Sequence, residues 1–376
     1  MTTHHRSWAA AIMLSALACL LVAIQLLAVS ASQEAATPPR RPKQVYQVAC
    51  STCHGADGKG APQSRVGFAL PLPDFTDCNF ATREPDSDWL AVIHDGGPAR
   101  AFDPLMPAFA EALSEVDMRK ALAHVRSFCA DTAWPRGDLN LPRPLVTEKA
   151  FLEDEAVFSS SVATEGETSV SNKLVYEKRI GARNQVEIVV PFGFRETDAG
   201  VAHGIGDVAI GFKRALFHSL ESGTIFSVTG EAVLPTGDEQ DEFGKGYGIF
   251  EPFVTFGQLL PSDSFVQFQG GIELPTGEDA AKEAFWRTTV GKTISQRRFG
   301  RAWSPMIEVI GFKELEEGQK VNWDVVPQLQ VSLSTRQHIL ANVGVRIPVN
   351  ERDGRGTQVL FYVLWDWFDG GLFGGW

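Results

Sequence analysis

The sequence is poor in positive charge. It contains 34 Lys and Arg residues against 46 Asp and Glu residues, which gives a formal net charge of −12 over 376 residues. Acidic residues outnumber basic ones over the whole chain, which argues against a basic stripe for a phosphate backbone. We therefore expect no nucleic-acid partner.

Cysteine is also scarce, with five residues in the chain, and its spacing argues against a structural zinc site. Such a site needs four ligands and usually a second close pair of cysteines, whereas Cys78 and Cys129 lie far apart in the sequence. The one close pair occurs in "CSTCH", where Cys50 and Cys53 precede His54. This C-x-x-C-H pattern is typical of c-type haem attachment, in which two thioethers hold the haem and the adjacent histidine lies under the iron. Zinc binding remains the alternative.

The first 32 residues have the pattern of a targeting segment. Arg6 precedes an apolar run that extends from Trp8 to Val29, and small residues follow in "SAS" at 30–32. We interpret 1–32 as a signal peptide, so that the mature chain is exported. An uncleaved membrane anchor and lipidation of Cys19 are the alternatives, although apolar residues continue well past Cys19.

A second iron ligand is predicted about fifty residues after His54, in "AFDPLMPAFAEAL". A histidine and a thioether together give a six-coordinate iron of raised potential, which suits electron transfer. Met106 is the best candidate. Met118 is a rival, but it lies within the predicted helix 114–128, where core packing explains it, as for Val116, Leu122, Val125 and Phe128. His94 and His124 are weaker alternatives, since a lone histidine is more often a polar or packed residue.

The stretch from Arg41 to about Trp134 resembles a class I cytochrome c. The resemblance lies in "KQVYQVACSTCHG", then "DWLAVIHDGG", "MPAF" and a closing helix. It implies a small all-α domain with one covalent haem c, attached at Cys50 and Cys53 and ligated by His54 and Met106.

Two further cysteines, Cys78 and Cys129, are not part of that family's usual pattern. Spare thiols tend to pair in an oxidising compartment. We therefore interpret them as a disulfide that joins the loop after the haem helix to the closing helix.

After residue 134 the pattern changes twice. Residues 135–154 carry several prolines without periodicity and are predicted to form an extended, ordered or semi-rigid linker. From 155 to 376 the chain follows a period of two, with candidate strands of about ten to fourteen residues. There are eleven of them, preceded by a weaker twelfth at 154–163: 168–180, 184–196, 204–217, 224–237, 247–260, 264–277, 285–296, 302–314, 322–334, 337–349 and 357–368.

The links between these strands alternate between long, mostly acidic segments such as "TGDEQDEFGKG" and short ones such as "GARN". Outer-membrane barrels have this asymmetry, with long outer loops and short periplasmic turns. We therefore predict a transmembrane antiparallel β-barrel of about 12 strands, embedded in outer-membrane lipid, with both of its chain ends in the periplasm. Aromatic residues near the C-terminus are the expected membrane anchors: Trp365, Trp367, Phe368 and Trp376.

A soluble β-sandwich is the alternative to the barrel. Against it stands a row of polar side chains on the second face of long strands, namely Glu187, Lys213, Glu231, Gln267, Gln269, Arg287 and Gln328.

Two related phrases, "VLPTGD" at 233–238 and "ELPTGE" at 273–278, lie forty residues apart. With "GIGDVAIGFKRALF" they resemble the outer-membrane barrel family named for the meta-cleavage pathway of phenol degradation, over most of 165–376. The whole arrangement is similar to the fused cytochrome–porins of iron-oxidising bacteria, although this chain has fewer apparent strands.

Size limits how the two domains can combine. A twelve-stranded barrel has a backbone diameter of about 24 Å, whereas a domain of about 95 residues is roughly 30 Å wide. The folded cytochrome therefore does not fit in the lumen, and it is expected at the periplasmic mouth.

Two functions follow as hypotheses. The first is a monohaem electron carrier anchored in the outer membrane, which exchanges electrons with a periplasmic, or alternatively extracellular, redox protein. The second is a porin or transporter for small hydrophobic or aromatic compounds, with an accessory cytochrome domain. No Ser/His/Asp set is interpretable, and a methionine in the sixth iron position disfavours a haem enzyme.

Overall fold

The computed structural model describes residues 40–165, 169–197, 200–240, 242–352 and 354–376. The expected signal peptide, 1–32, lies outside the described residues. Among those residues, no helix combines the length and the apolar character that a membrane span requires.

The N-terminal part of the described chain is helical, and its longest helices pack around two apolar clusters. One cluster joins Tyr46, Phe75 and Val125, and the other is described below with Met118. The helices are α1 (Pro42–Ala49), α2 (Ser51–His54), α3 (Gln63–Val66), α4 (Cys78–Ala81), α5 (Asp86–Asp95) and α6 (Glu115–Arg126), with 3₁₀ turns at Gly97–Arg100 and Gly137–Leu139.

The closing helix predicted at 114–128 is observed as α6, and the Ser114 hydroxyl caps it by accepting a hydrogen bond from the Asp117 amide at 3.1 Å. Leu122 and Val125 are buried, as expected. The assignment of Val116 to the core was wrong, because it is 62% exposed on the first turn of α6, facing away from both apolar clusters.

The C-terminal part is one antiparallel sheet that closes on itself, since β1 pairs with β14 from Glu155–Asp366 to Ala163–Gln358. Closure rules out the sandwich and gives a barrel of twelve strands. The two remaining strands, β4 and β10, are short extensions paired to β3 and β11. The strands are β1 (Glu155–Ala163), β2 (Ser169–Ile180), β3 (Asn184–Thr197), β4 (Gly200–Ile205), β5 (Ala209–Ser219), β6 (Thr224–Val233), β7 (Ile249–Leu260), β8 (Ser264–Pro275), β9 (Glu283–Lys292), β10 (Ile294–Ser295), β11 (Ala302–Glu314), β12 (Asn322–Ser332), β13 (Ile339–Pro348) and β14 (Gln358–Asp366).

The two mouths of the barrel differ in their connections. We call the mouth with the short links 181–183, 220–223, 261–263, 296–301 and 333–338 the turn end, and the opposite mouth the loop end. One predicted long link was wrong: the segment 196–204 is mostly strand, because β3 continues to Thr197 and pairs with β4 as a hairpin.

The "LPTG" repeat has one structural role at both positions, at the loop end. The Thr236 hydroxyl accepts a hydrogen bond from the Val208 amide at 2.9 Å, and the Thr276 hydroxyl accepts one from the Gly248 amide at 3.0 Å. Each threonine thus ties the end of its strand to the start of the preceding one.

The two faces of the sheet have opposite character. Outward side chains are large, apolar and exposed, for example Phe212 at 50% and Val290 at 54%. Inward side chains are polar and buried, including Gln185, Gln267 and Glu308. A barrel with this polarity presents an apolar belt to its surroundings and encloses a polar interior.

Residues 140–154, most of the predicted linker, lie inside the barrel, and we call them the plug. Their backbone is bonded to side chains from strands on opposite sides of the ring: the Leu145 amide donates to Glu308 Oε1 on β11 at 2.8 Å, and the Glu153 amide donates to Gln185 Oε1 on β3 at 2.7 Å. Only a segment in the interior can reach strands on opposite sides. Most of the predicted linker therefore lies in the lumen of the barrel.

The helical part contacts the turn end of the barrel. Arg100 Nη1 donates to the Phe299 carbonyl at 2.7 Å, and Arg298 pairs with Glu115 at 2.6 Å. Phe299 also packs against the apolar cluster of α5 and α6. The helical unit therefore covers one mouth of the barrel, as its size required.

Candidate functional site

The site begins at the junction of α1 and α2, which positions two thiols and an imidazole. The Cys50 amide donates to the Tyr46 carbonyl at 2.8 Å, and the His54 amide donates to the Cys50 carbonyl at 3.0 Å. This helical spacing brings Cys50 and Cys53 onto one turn, with His54 next to them. Both thiols are free.

The three side chains open into a cavity of about 570 Å³. Its size is within the range of sites that bind small molecules and cofactors. Met106 lines the same cavity, together with mainly apolar residues that include Leu72, Phe75, Trp89, Val92, Phe109 and Val125.

The Met106 loop is held close to the end of α5 by two glycines. The Gly97 amide donates to the Met106 carbonyl at 2.9 Å. A Cβ on Gly97 would overlap the Asp103 carbonyl oxygen, and a Cβ on Gly96, where φ is +83°, would lie 2.9 Å from the Met106 carbonyl oxygen. The "DGG" of the sequence is therefore needed for this close approach.

The environment of His54 fits an iron ligand. Its ring stacks on Phe75 with centroids 4.9 Å apart, and its buried Nδ1 has no hydrogen-bond partner among the described residues. Burial lowers the pKa of the imidazole, which favours the neutral form that binds metals. A neutral imidazole, a thioether and two thiols around an apolar cavity match the donor set of a c-type haem.

The rival ligands lie elsewhere. Met118 is 3% exposed and packs in the core with Leu90, Ile93 and Leu122. His94 Nδ1 contacts Asp95 Oδ1 at 2.5 Å.

His124 packs edge-on against Tyr46, with centroids 5.0 Å apart. None of the three residues Met118, His94 and His124 is among the described side chains that line the cavity.

Two family profiles match the chain. Residues 37–125 match the family described as "Cytochrome C oxidase, cbb3-type, subunit III", and residues 143–362 match the family described as "Putative MetA-pathway of phenol degradation". The second match covers more than half of the sequence.

The chain belongs to the MetA-pathway family of outer-membrane barrels. Its N-terminal part is a cbb3-type cytochrome c domain, which implies haem c.

Solved structures similar to this chain include an outer membrane channel from Pseudomonas putida F1, at 12% identity and a TM-score of 0.43, covering 60% of this chain and 99% of that one. The NanC porin is similar at 8% identity and a TM-score of 0.41, with coverage of 56% and 97%. The KdgM porin in complex with disordered oligogalacturonate is similar at 9% identity and a TM-score of 0.38, with coverage of 56% and 98%. No curated protein matches the sequence significantly.

Cys78 and Cys129 form a disulfide that links the start of α4 to the segment after α6. Neither cysteine of this disulfide is among the described residues that line the cavity, whereas the free thiols of Cys50 and Cys53 are.

The barrel also contributes residues to the cavity wall, and the sequence did not indicate this contribution. Arg336, Phe368 and Asp369 line it together with the cytochrome residues. Arg336 Nη2 donates to the Ala101 carbonyl at 2.7 Å, and its guanidinium lies 4.4 Å from the centre of the Phe102 ring. No sequence signal could have found these contacts, since more than 230 positions separate the partners.

The predicted aromatic anchors have different environments. Phe368 lies under the Arg83 guanidinium, 4.2 Å from it, and lines the cavity, so its assignment to the membrane interface was wrong. Trp367 stacks on Tyr176 with an interplanar angle of 7°. Trp365 donates to the Gly370 carbonyl at 2.8 Å, and Trp376 is exposed.

Acidic side chains accompany these barrel residues. Burial, followed by repulsion from Asp366, raises the pKa of Asp369 to about 8. Burial also raises the pKa of Glu84, which faces the same group of carboxyls. The barrel therefore contributes to the cavity wall a carboxyl, that of Asp369, which holds a proton near neutral pH.

Proposed function

We propose that this protein is a monohaem c-type electron carrier anchored in the outer membrane. The observation that carries the proposal is the single cavity onto which two free thiols, one neutral imidazole and one thioether open. When bound, the haem supplies an iron that changes between two oxidation states.

In this proposal the residues of the chain have separate roles. Cys50 and Cys53 would hold the haem covalently, and His54 and Met106 would ligate its iron. The apolar walls from α5 and α6 exclude water from the iron and so favour a raised potential.

We further propose that the turn end faces the periplasm, after removal of the signal peptide 1–32. The cytochrome at this mouth then exchanges electrons with a periplasmic redox protein. The apolar band of an outer-membrane barrel is about 25 Å tall, so a single haem at one mouth serves partners on its own side.

The position of the plug favours the function of an electron carrier over that of an open pore. The Leu145 and Glu153 amides donate hydrogen bonds to wall side chains, and Leu139 and Phe151 pack against Ile225. A small solute that crossed the barrel would have to displace this segment.

The test uses absorption spectra of the purified holoprotein. Met106→Ala is expected to remove the thioether-to-iron absorption band and to lower the reduction potential, while the matched core variant Met118→Ala keeps both. If both variants keep the band, the ligand assignment is wrong.

The location is tested by haem staining of fractionated membranes with protease applied from outside. Stained protein is expected in the outer membrane and protected from the protease. Haem found only in the soluble periplasm would contradict the anchored carrier.

A further inference from the structure

Three glutamates from different parts of the chain meet inside the barrel. Glu148 belongs to the plug, Glu177 to β2 and Glu187 to β3. One carboxylate oxygen of each lies within 4.8 Å of the other two. Like charges brought this close repel one another strongly in a buried site.

The nearby cations are too few to neutralise these acids. Arg143 contacts Glu177 Oε2 at 3.0 Å and Glu148 Oε1 at 3.5 Å, but it is also bonded to Glu155. Lys213 Nζ reaches Glu148 Oε2 only at 3.8 Å.

A further carboxylate approaches across Gly211, whose missing side chain leaves room. A Cβ on Gly211 would lie 3.6 Å from Glu231 Oε2 and 3.8 Å from Glu187 Oε1. Lys149 Nζ lies 3.5 Å from Glu155 Oε2, but it also pairs with Glu153. Among the described residues, five glutamates therefore share three cations: Glu148, Glu155, Glu177, Glu187 and Glu231 against Arg143, Lys149 and Lys213.

The hydrogen bonds of the cluster are incomplete as well. Glu177 is 1% exposed, and its Oε1 has no hydrogen-bond partner among the described residues. Glu148 Oε2 is likewise buried without a donor there. A buried carboxylate oxygen without a donor costs free energy unless a cation or a shared proton binds it.

We propose that Glu148, Glu177 and Glu187 bind one divalent cation of the size of Ca²⁺. Carboxylate oxygens are hard ligands that suit such ions. Ca²⁺ binds oxygens at 2.3–2.6 Å, so oxygens on opposite sides of it are up to about 4.6–5.2 Å apart, whereas for Mg²⁺ the limit is about 4.2 Å. The three oxygens lie within 4.8 Å of one another, a distance that one Ca²⁺ ion can span without closure of the site.

Such an ion would join the plug to two strands of the barrel wall. Glu148 is the only one of the three ligands that lies on the plug, so the cation would supply a contact that the sheet alone does not make. We therefore expect the ion to stabilise the plugged state.

The experiment uses the full-length holoprotein in detergent, stripped with a chelator and titrated with Ca²⁺ by calorimetry. The wild type is expected to bind one Ca²⁺ saturably and to bind Mg²⁺ at least tenfold more weakly. Ca²⁺ should also raise its unfolding temperature. Absence of saturable Ca²⁺ binding would overturn the proposal, and equal affinity for Mg²⁺ would overturn the assignment of ion size.

The variant Glu148→Gln/Glu187→Gln tests the ligands, with Glu177 kept because it pairs with Arg143. Its affinity for Ca²⁺ should fall at least tenfold. The matched control is Glu316→Gln/Glu317→Gln, which removes the same charge from an exposed link at the loop end and should bind like the wild type.

Heat-modifiable migration in gels checks that each barrel is folded. Should the double variant fail to fold, Glu148→Gln alone, on the plug and outside the sheet, carries the same prediction. Retained affinity in a folded ligand variant, or equal loss in the control, would contradict the site.

Discussion

The cytochrome cavity and the barrel lumen are both enclosed spaces, but they are built from opposite side chains. The cavity is walled mainly by apolar residues such as Leu72 and Phe109, whereas the lumen is lined by Gln, Glu and Thr. An apolar space is filled well by a flat apolar cofactor. A polar space can instead be filled by the chain's own backbone, whose amides and carbonyls need partners.

The largest expected effect is on the haem cavity. His54→Ala removes the only imidazole among the described side chains that line the cavity, so stable low-spin haem should be absent. Absorption spectra of the purified protein measure this. His124→Ala is the control, because His124 packs outside the cavity, and it should keep the wild-type spectrum.

The next largest effect is expected in the barrel lumen, where the plug is held. Glu308 accepts hydrogen bonds from the Leu145, Val146 and Thr147 amides and from the Thr147 hydroxyl, at 2.7–3.1 Å. The Leu145 amide also donates to Gln328 Oε1 at 3.0 Å. Glu308→Ala therefore leaves the Val146 and Thr147 amides unpaired and should destabilise the plug by about 3 kcal/mol. Conductance in lipid bilayers should rise above that of the wild type. Glu316→Ala on the exposed link should change nothing, and an unchanged Glu308→Ala channel would show that the plug does not close the lumen.

A smaller effect concerns the contact between the two spaces. Arg336→Ala removes the hydrogen bonds to the Arg100 and Ala101 carbonyls and the stacking on Phe102, with an expected loss of about 1–3 kcal/mol. Limited proteolysis should then release the haem domain faster than in Arg297→Ala, an exposed neighbour at the turn end. Equal rates would mean that other contacts hold the domain.

The smallest expected effect is a dependence of the reduction potential on pH. Because burial raises the pKa of Asp369 to about 8, its carboxyl is neutral below that pH and negative above it. Negative charge beside the cavity stabilises oxidised iron, so the reduction potential should fall as pH rises through about 8. Redox titration from pH 6 to 9 measures the slope. Asp369→Asn should flatten it, and an unchanged slope would assign the effect to another group.

Local patterns in the sequence predicted much of the fold. The twelve strands of the barrel were predicted because a period of two and turn residues are properties of short segments. The hairpin of β3 and β4 was missed, since its acidic, glycine-containing sequence reads like the other long links. Val116 was misplaced because helical spacing does not say which of two nearby faces meets the core.

Chemistry-bearing residues that are close in sequence could also be identified in advance. Cys50, Cys53 and His54 depend on one helical turn, and Met106 depends on a motif that follows α5. Their meeting in one cavity needed the close approach at Gly96 and Gly97, which the structure shows.

The sequence by itself determined the two classes of structure and the donor set for a haem, because periodicity and short motifs are local. Only the tertiary structure decided that the linker fills the lumen, that Arg336, Phe368 and Asp369 complete the cavity, and that three glutamates converge. These contacts join residues tens to hundreds of positions apart, and they form only when the sheet closes and brings its inner face around the chain.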